Sequence, residues 1–331
     1  MNKKQPHLVI LATGGTIASS TGDLTGAHYG FANIGIETLI ANIPEINQLA
    51  RLDYEQIAQI DSTAMTLDLW LILAKRAATL LARDDIDGLV ITHGTDTAEE
   101  TAYFLSLVVP SSKPIVITGA MRPAASLSAD GLRNLYNAVI IASSPASHGK
   151  GVLLTFNDVI TAARDVTKTN VSSTDSFRAP ELGLLGYVTD EKAYLYKQPL
   201  YRHTTTSEFN IADLTTLPKV EIIYGYADSD PCVVDALVQH GAQGLISAGL
   251  GKGLQTPSVL TALARACKQQ VIVVRSSRVQ NGVITREPDL DDTHGFIASN
   301  TLSPQKARIL LTLALTKTKK SGEIQRMFDE Y

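Results

Sequence analysis

The chain has 331 residues, of which 44% are hydrophobic and 19% charged, and a formal net charge of -4. That length can bury a sizeable core and supports two domains, and a near-balanced charge without long runs of one sign argues against nucleic acid or an anionic membrane surface as partner. Only two cysteines occur, Cys232 and Cys267, each in an expected helix among apolar neighbours, so both are expected to be small buried hydrophobes rather than a disulfide or metal pair.

At the start, Met1-Asn2-Lys3-Lys4 is followed by a short apolar run, Leu8 to Ala12. A signal peptide needs a longer hydrophobic segment and a small-residue cleavage site. No stretch approaches membrane-spanning length. A cytosolic location is therefore expected, with a periplasmic one as the alternative if a leader preceded this sequence. The run Leu8 to Ala12 reads better as a buried strand, and Thr13-Gly14-Gly15-Thr16-Ile17-Ala18 as the turn that leaves it. Thr16 then stands at the carboxyl end of a strand, where open α/β sheets place ligand sites.

Ser19 to Asn33 is rich in Gly, Ser and Thr, without periodicity, and carries Tyr29 between His28 and Gly30. It is expected to be a mobile loop covering a site. Glu37 to Ala50 is helical, broken at Pro44; Tyr54 to Ile60 is a strand ending in Asp61-Ser62-Thr63; Thr66 to Arg83 is a long helix with Trp70 in its apolar face. Gly88 to Thr92 repeats the opening design, a strand followed by His93-Gly94-Thr95-Asp96-Thr97 and a helix from Ala98 to Val109. Thr97-Ala98-Glu99-Glu100 fits a capping box. Backbone N–H groups at such a junction can face a developing negative charge.

Further strands are expected at Ile115 to Thr118 and Gly151 to Phe156, with a helix from Ala129 to Ala142 between them. Arg164 to Asn170 is polar except for one valine, and taken alone Lys168 reads as a solvated surface lysine. From about Tyr194 to Pro218 the pattern dissolves, which is expected for a linker. Beyond it, strands at Val220 to Tyr224, Gly244 to Ala248 and Val271 to Ser276 alternate with helices at Pro231 to His240, Pro257 to Gln269 and Ser303 to Thr318, and Gly322 to Tyr331 closes the chain as a short helix.

The expected fold is thus α/β with two domains: residues 1–193, a large mostly parallel sheet flanked by helices; 194–218, the linker; and 219–331, a smaller parallel-sheet α/β domain.

The seven histidines are scattered, and neither a Cys-x-x-Cys nor a His-Glu-x-x-His pattern occurs, so no metal is expected. The Gly14-Gly15 turn lacks dinucleotide-binding spacing. Gly249-Leu250-Gly251-Lys252-Gly253 has Leu254 where the last glycine is required, and Gly253 where a P-loop needs Ser or Thr. What remains is a set of hydroxyls, carboxylates and one lysine at strand ends. Thr16, Thr95, Asp96 and Lys168 suit acyl transfer, because a threonine hydroxyl needs a base, and a lysine tuned by a carboxylate can be one.

Several stretches in order resemble the bacterial-type L-asparaginases, close to the secreted type II group. They are Ala12 to Ala18, Thr92 to Thr97, Glu99 to Leu105, Gly119 to Pro123, Arg164 to Asn170, Val274 to Val279 and Pro304 to Arg308. The resemblance spans nearly the whole chain. It implies an amidohydrolase converting L-asparagine to L-aspartate and ammonia without a cofactor, with some action on glutamine. It also implies a homotetramer with active sites between the large domain of one subunit and the small domain of another.

On that resemblance Thr16 is the nucleophile, and Tyr29 helps take its proton and closes the site. Thr95, Asp96 and Lys168 form a second catalytic group. Ser62, Thr63 and Asp96 hold the substrate's α-carboxylate and α-amino groups, backbone at Thr95 stabilises the oxyanion, and Ala120 contacts the leaving amide. The chain departs from the secreted type at Asp289, where glutamate is usual, at Thr63, where glutamine is frequent, and at Lys252, where asparagine is common. A covalent acyl-enzyme and direct attack by water both fit these residues. The alternatives are an amidase for another amide, such as a glutamate-to-tRNA amide donor, and a non-catalytic amino-acid sensor using Ser62 and Asp96.

Overall fold

A computed structural model describes residues 5–19 and 34–331. Tyr29 and most of the expected covering loop lie outside the described residues. The chain divides into two compact units, residues 1–212 and 213–331.

In the first unit the elements run β1 (His7–Gly14), α1 (Ile36–Ala41), α2 (Ile46–Leu49), β2 (Arg51–Ile60), α3 (Leu67–Leu81), β3 (Gly88–Thr92), α4 (Ala98–Val108), β4 (Ile115–Thr118), α5 (Gly131–Ser143), β5 (Val152–Phe156), β6 (Val159–Ala162), β7 (Thr167–Lys168), β8 (Phe177–Arg178), β9 (Gly186–Thr189) and β10 (Lys192–Leu195). Eight of the strands form one sheet in the order β10-β9-β6-β5-β4-β3-β1-β2. The pairings from β2 through β1, β3 and β4 to β5 are parallel, and those of β6, β9 and β10 are antiparallel. β7 and β8 pair separately as a short hairpin.

β1 shows why this sheet forms here. Every residue of it is buried, as expected for an interior strand of a parallel sheet covered on both faces. Its alternate residues Leu8, Ile10 and Ala12 join one core cluster with Ile36 and Leu39 of α1, Ile46 of α2, and Leu135 and Ala138 of α5. α3 and α4 lie against each other through Trp70 and Phe104, whose rings stack 5.2 Å apart. The chain moves from β1 to β2 on one side and to β3 on the other, so the sheet reverses its direction of growth between β1 and β3. Such a switch point opens a crevice at the carboxyl ends of the strands.

Three expectations need correction. The strands β6, β9 and β10 were not expected: each has only four residues, and the alternation of β9 and β10 is too short to stand out. The stretch from Tyr194 to Pro218 is not an open linker over most of its length. Tyr194 and Leu195 belong to β10, Phe209 and Ile211 are buried, and the first unit extends to Ala212. These side chains fix the segment although no backbone period announces it. Cys232 is exposed and Cys267 only half-buried, and both are free.

The second unit carries β11 (Val220–Tyr224), α6 (Cys232–Gln239), β12 (Gly244–Gly249), α7 (Pro257–Lys268), β13 (Ile272–Ser277), α8 (Pro288–His294), β14 (Ile297–Ala298), α9 (Pro304–Ala314) and α10 (Ser321–Glu330). Its four strands form a parallel sheet in chain order. Val234 of α6 and Val259, Ala262 and Leu263 of α7 build its core against Leu245 and Val273. Arg275 on β13 is buried and makes four hydrogen bonds. It donates to both oxygens of Asp291 at 2.8 and 2.7 Å, and to the carbonyls of Lys252 and Thr285 at 2.7 and 2.8 Å. One guanidinium thus ties α8, which carries the exposed Asp289, to the loop that carries the exposed Lys252. No described helix is long and apolar enough to cross a membrane.

Candidate active site

The sheet order brings three strand ends together. β1 pairs with β2 on one side, Gly14 opposite Ile60, and with β3 on the other, Ala12 opposite Thr92. The residues that follow these strands, Gly15-Thr16, Asp61-Ser62 and Gly94-Thr95-Asp96, therefore emerge side by side. Gly14 and Gly15 have φ of +104° and +83°, a region L side chains rarely adopt. Their surroundings are also closed: a Cβ on Gly14 would lie 2.5 Å from the Ile60 carbonyl oxygen, and one on Gly15 would lie 2.3 Å from the Gly94 Cα. The two glycines let the chain turn into the short 3-10 segment Thr16–Ala18 while its backbone touches that of Gly94.

A cavity of about 150 Å³ opens there. Thr16, Ser62, Thr95, Asp96 and Lys168 all line it, so five residues expected from the sequence meet in one place. Lys168 is no solvated surface lysine. Its Nζ donates to Thr95 Oγ1 at 2.9 Å and to Asp96 Oδ1 at 2.5 Å. The Ser62 hydroxyl accepts from the Asp96 backbone N–H at 3.1 Å. Gly94 makes room for this contact, since a Cβ on it would stand 2.6 Å from Ser62 Oγ.

Asp61, Gly15, Gly94 and Val171 line the cavity without having been singled out as site residues. Their signal was adjacency: each lies within three residues of one that was. Thr63 is exposed and turned toward Asp61, whose Oδ1 accepts from its N–H at 2.9 Å and from its hydroxyl at 2.8 Å. Ala120 is almost fully buried, and neither it nor Thr63 is among the lining residues. Asp289 and Lys252 belong to the second unit. The expected capping box does not form. Thr97 occupies the N-cap position of α4 without a side-chain cap, because its hydroxyl donates instead to the Ser62 carbonyl at 2.9 Å. That contact fixes the start of α4 to the end of β2.

Beneath the cavity floor lies His93. Its Nδ1 faces the Gly94 carbonyl at 2.7 Å and must carry a hydrogen. Its Nε2 is 2.9 Å from the Thr101 hydroxyl, which also accepts from Trp70 Nε1 at 2.8 Å. The neutral imidazole with its hydrogen on Nδ1 satisfies this chain of bonds when the Thr101 hydroxyl donates to Nε2. Burial acts in the same direction and lowers the His93 pKa to about 4, the Gly94 carbonyl opposing it.

The consequence for stability has a definite sign. The folded value lies below the unfolded one of 6.5, so the contribution is fully present above pH 6.5 and is lost as pH falls toward 4. We expect His93 to make the protein about 2 kcal/mol less stable at pH 5 than at pH 7.5. Urea unfolding at the two pH values should show this increment in the wild type, reduced in His93→Gln. Equal pH dependence of the two proteins would remove His93 as its source.

Among the described residues no group of three or more His, Cys, Asp or Glu side chains could hold a metal ion. The lining instead combines hydroxyls at strand ends, a lysine gripped by a hydroxyl and a carboxylate, and backbone N–H groups at the start of a helix. Such a set can activate a hydroxyl, hold a zwitterion and stabilise a developing oxyanion.

Comparison with known proteins points to one family over both units. Residues 7–201 match the family described as "Asparaginase, N-terminal", and residues 219–328 match "Glutaminase/Asparaginase C-terminal domain". The chain is 47% identical to the "Probable L-asparaginase periplasmic" of Haemophilus influenzae, covering 98% of this chain and 93% of that one. It is 47% identical to the "Glutaminase-asparaginase" of Pseudomonas fluorescens biotype A, covering 99% and 91%. The solved structure of a probable cytoplasmic L-asparaginase from Campylobacter jejuni superposes with a TM-score of 0.97 at 44% identity, over 99% of this chain and 100% of that one.

Proposed function

The chain belongs to the asparaginase family, and from that premise we propose that it hydrolyses the side-chain amide of L-asparagine to L-aspartate and ammonia, with L-glutamine as a second substrate. The observation that carries this reading is the contact of Lys168 Nζ with both Thr95 and Asp96 in the cavity that Thr16 lines. The glutamine activity is supported by the Pseudomonas relative, whose name includes it.

In this proposal the Thr16 hydroxyl attacks the amide carbon. The hydroxyl gives its proton to Tyr29, in the role implied by resemblance, as the C–O bond forms; the carbonyl electrons move to oxygen, and the oxyanion is met by the backbone N–H of Thr95. As the C–N bond breaks, the nitrogen takes that proton and leaves as ammonia. Thr95, held by Lys168 and Asp96, activates the water that releases aspartate. Ser62 and Asp96 hold the α-carboxylate and α-amino groups, an acceptor and donors at fixed spacing suited to a zwitterion. Tyr29, Thr63 and Ala120 keep the roles implied by resemblance.

The test is calorimetry with L-asparagine alongside ammonia measurement. Binding heat that continues as turnover heat, with matching ammonia, supports the hydrolase. Heat of binding without ammonia favours the sensor, and the absence of both removes the substrate.

We also propose a homotetramer, in keeping with the resemblance; Tyr224 and Tyr226 are exposed at 60% and 52% in the second unit, as surfaces that pair with another copy tend to be. Light scattering tests it. A cytosolic location is supported by the likeness to the Campylobacter protein, described as cytoplasmic, against the periplasmic name of the Haemophilus relative. Asp289, exposed in the first turn of α8, is proposed to act on the substrate from the neighbouring subunit. Asp289→Glu keeps the charge at the helix N-terminus and leaves stability unchanged. We expect it to change kcat/KM for glutamine by about tenfold or more, on the order of what one methylene is worth in a pocket. Unaltered kinetics would place Asp289 away from the substrate.

A further inference from the structure

Lys168 is held at two points that are chemically independent. Its side chain reaches Thr95 and Asp96, and its backbone N–H donates to Glu99 Oε2 at 2.7 Å. Glu99 lies in the first turn of α4, three residues beyond Asp96, and is only 6% exposed. Acids in the first turn of a helix are ordinarily explained by the helix dipole, which an exposed side chain serves as well. Burying a carboxylate costs free energy that a dipole interaction of about 0.3–1 kcal/mol does not offset, so a buried one is expected to have a specific hydrogen-bond partner. One such partner here is the backbone of the proposed catalytic lysine, 69 residues away.

Neighbouring residues anchor the same segment: Val166 is buried with its N–H on the Ala162 carbonyl at 3.0 Å, and Thr169 N–H donates to the Ser176 carbonyl at 2.7 Å. β7 is two residues long and pairs only with β8, where Lys168 stands opposite Phe177. Phe177 is buried and stacks on Phe156 of β5 at 4.3 Å, which fixes the hairpin to the sheet on the β8 side. On the β7 side, the Glu99 carboxylate is a contact made to the Lys168 backbone itself, directly beside the residues that receive its Nζ. One turn at the start of α4 therefore sets both ends of the Lys168 contact: Thr95 and Asp96 receive the Nζ, and Glu99 receives the N–H.

We infer that Glu99 is a positioning residue for Lys168, which sets the distance from the ammonium to Thr95 by accepting the Lys168 backbone N–H. This rests on the role proposed for Lys168 above. A carboxylate is not required for the acceptor role; an amide oxygen at the same place serves it.

The test compares Glu99→Ala, Glu99→Gln and Lys168→Met for kcat and KM on L-asparagine, with amide hydrogen exchange at Lys168 in the same full-length proteins. Glu99→Ala is expected to lower kcat about 10- to 100-fold, the scale of a misplacement near 1 Å, with KM within about threefold and faster exchange at the Lys168 amide. Glu99→Gln is expected to keep kcat within about fivefold and to keep the amide protected, because its Oε1 accepts the same bond. Wild-type kcat in Glu99→Ala, or a Glu99→Gln as slow as Lys168→Met, overturns the inference. If Glu99→Ala does not fold, the Gln variant and its exchange decide alone. A wild-type rate in Lys168→Met instead overturns the role of Lys168, and Lys168 amide exchange still reads the Glu99 contact.

Discussion

Thr16→Ala is expected to lower kcat on asparagine by about four orders of magnitude or more, the scale on which hydrolases lose activity when the nucleophile is removed. The expectation follows from position. Thr16 is half-buried, lines the cavity, and stands where β1 ends, held by a turn that Gly14 and Gly15 alone can make. Its backbone carbonyl accepts from Ser19 N–H at 3.0 Å, and this bond is untouched by the substitution. Stability should therefore change by no more than about 0.5 kcal/mol. Ser62 and Asp96 remain, so the variant should still bind asparagine. Steady-state rates with calorimetric binding check both halves: retained turnover excludes Thr16 as nucleophile, and lost binding would show that the change reached beyond the hydroxyl.

Lys168→Met should cost about a thousandfold in kcat, within the range general acid–base groups supply. Methionine keeps most of the length and removes the charge and both hydrogen bonds, to Thr95 Oγ1 and Asp96 Oδ1. The pair with Asp96 is partly exposed, 18% for the lysine side chain and 52% for the aspartate, so its loss should cost about 1 kcal/mol of stability or less. Lys168→Arg separates charge from proton transfer. Arginine keeps the charge but cannot give up its proton, and we expect it to be as slow as the methionine variant. A near-normal rate in Lys168→Arg would mean that only the charge matters, and a near-normal rate in Lys168→Met would remove the residue from catalysis.

Much of this site was legible in the sequence because parallel strands announce themselves. Gly88–Thr92 and Ile115–Thr118 are unbroken runs of β-branched and other apolar residues followed by Gly and polar residues, and the structure has them at those bounds. Strand ends then located Thr16, Thr95 and Asp96, and the resemblance added Ser62. Their meeting depends on sheet order, however, and no residue of β1, β2 or β3 states that order. The resemblance implied that these residues share a site, and the order that brings them together is seen in the pairing of β1 with both neighbours.

Side-chain direction was hidden for the same reason. Thr97 has the composition of a helix cap and Glu99 that of a first-turn acid, yet Thr97 turns to Ser62 and Glu99 to Lys168. Both choices are made by tertiary neighbours far away in the chain. His93 carried no periodic signal at all, and its role as a buried neutral link follows only from Trp70 and Thr101 arriving from α3 and α4.

The central claim is a site built for an L-amino acid amide, and one measurement addresses it most directly: ammonia release by the purified full-length protein from L-asparagine, L-glutamine and D-asparagine, in parallel, in chelator-treated buffer. The predicted result is fastest release from L-asparagine, slower release from L-glutamine and little from the D isomer, whose α-groups cannot meet Ser62 and Asp96 while its amide meets Thr16. Release from neither L-amino acid would contradict the claim.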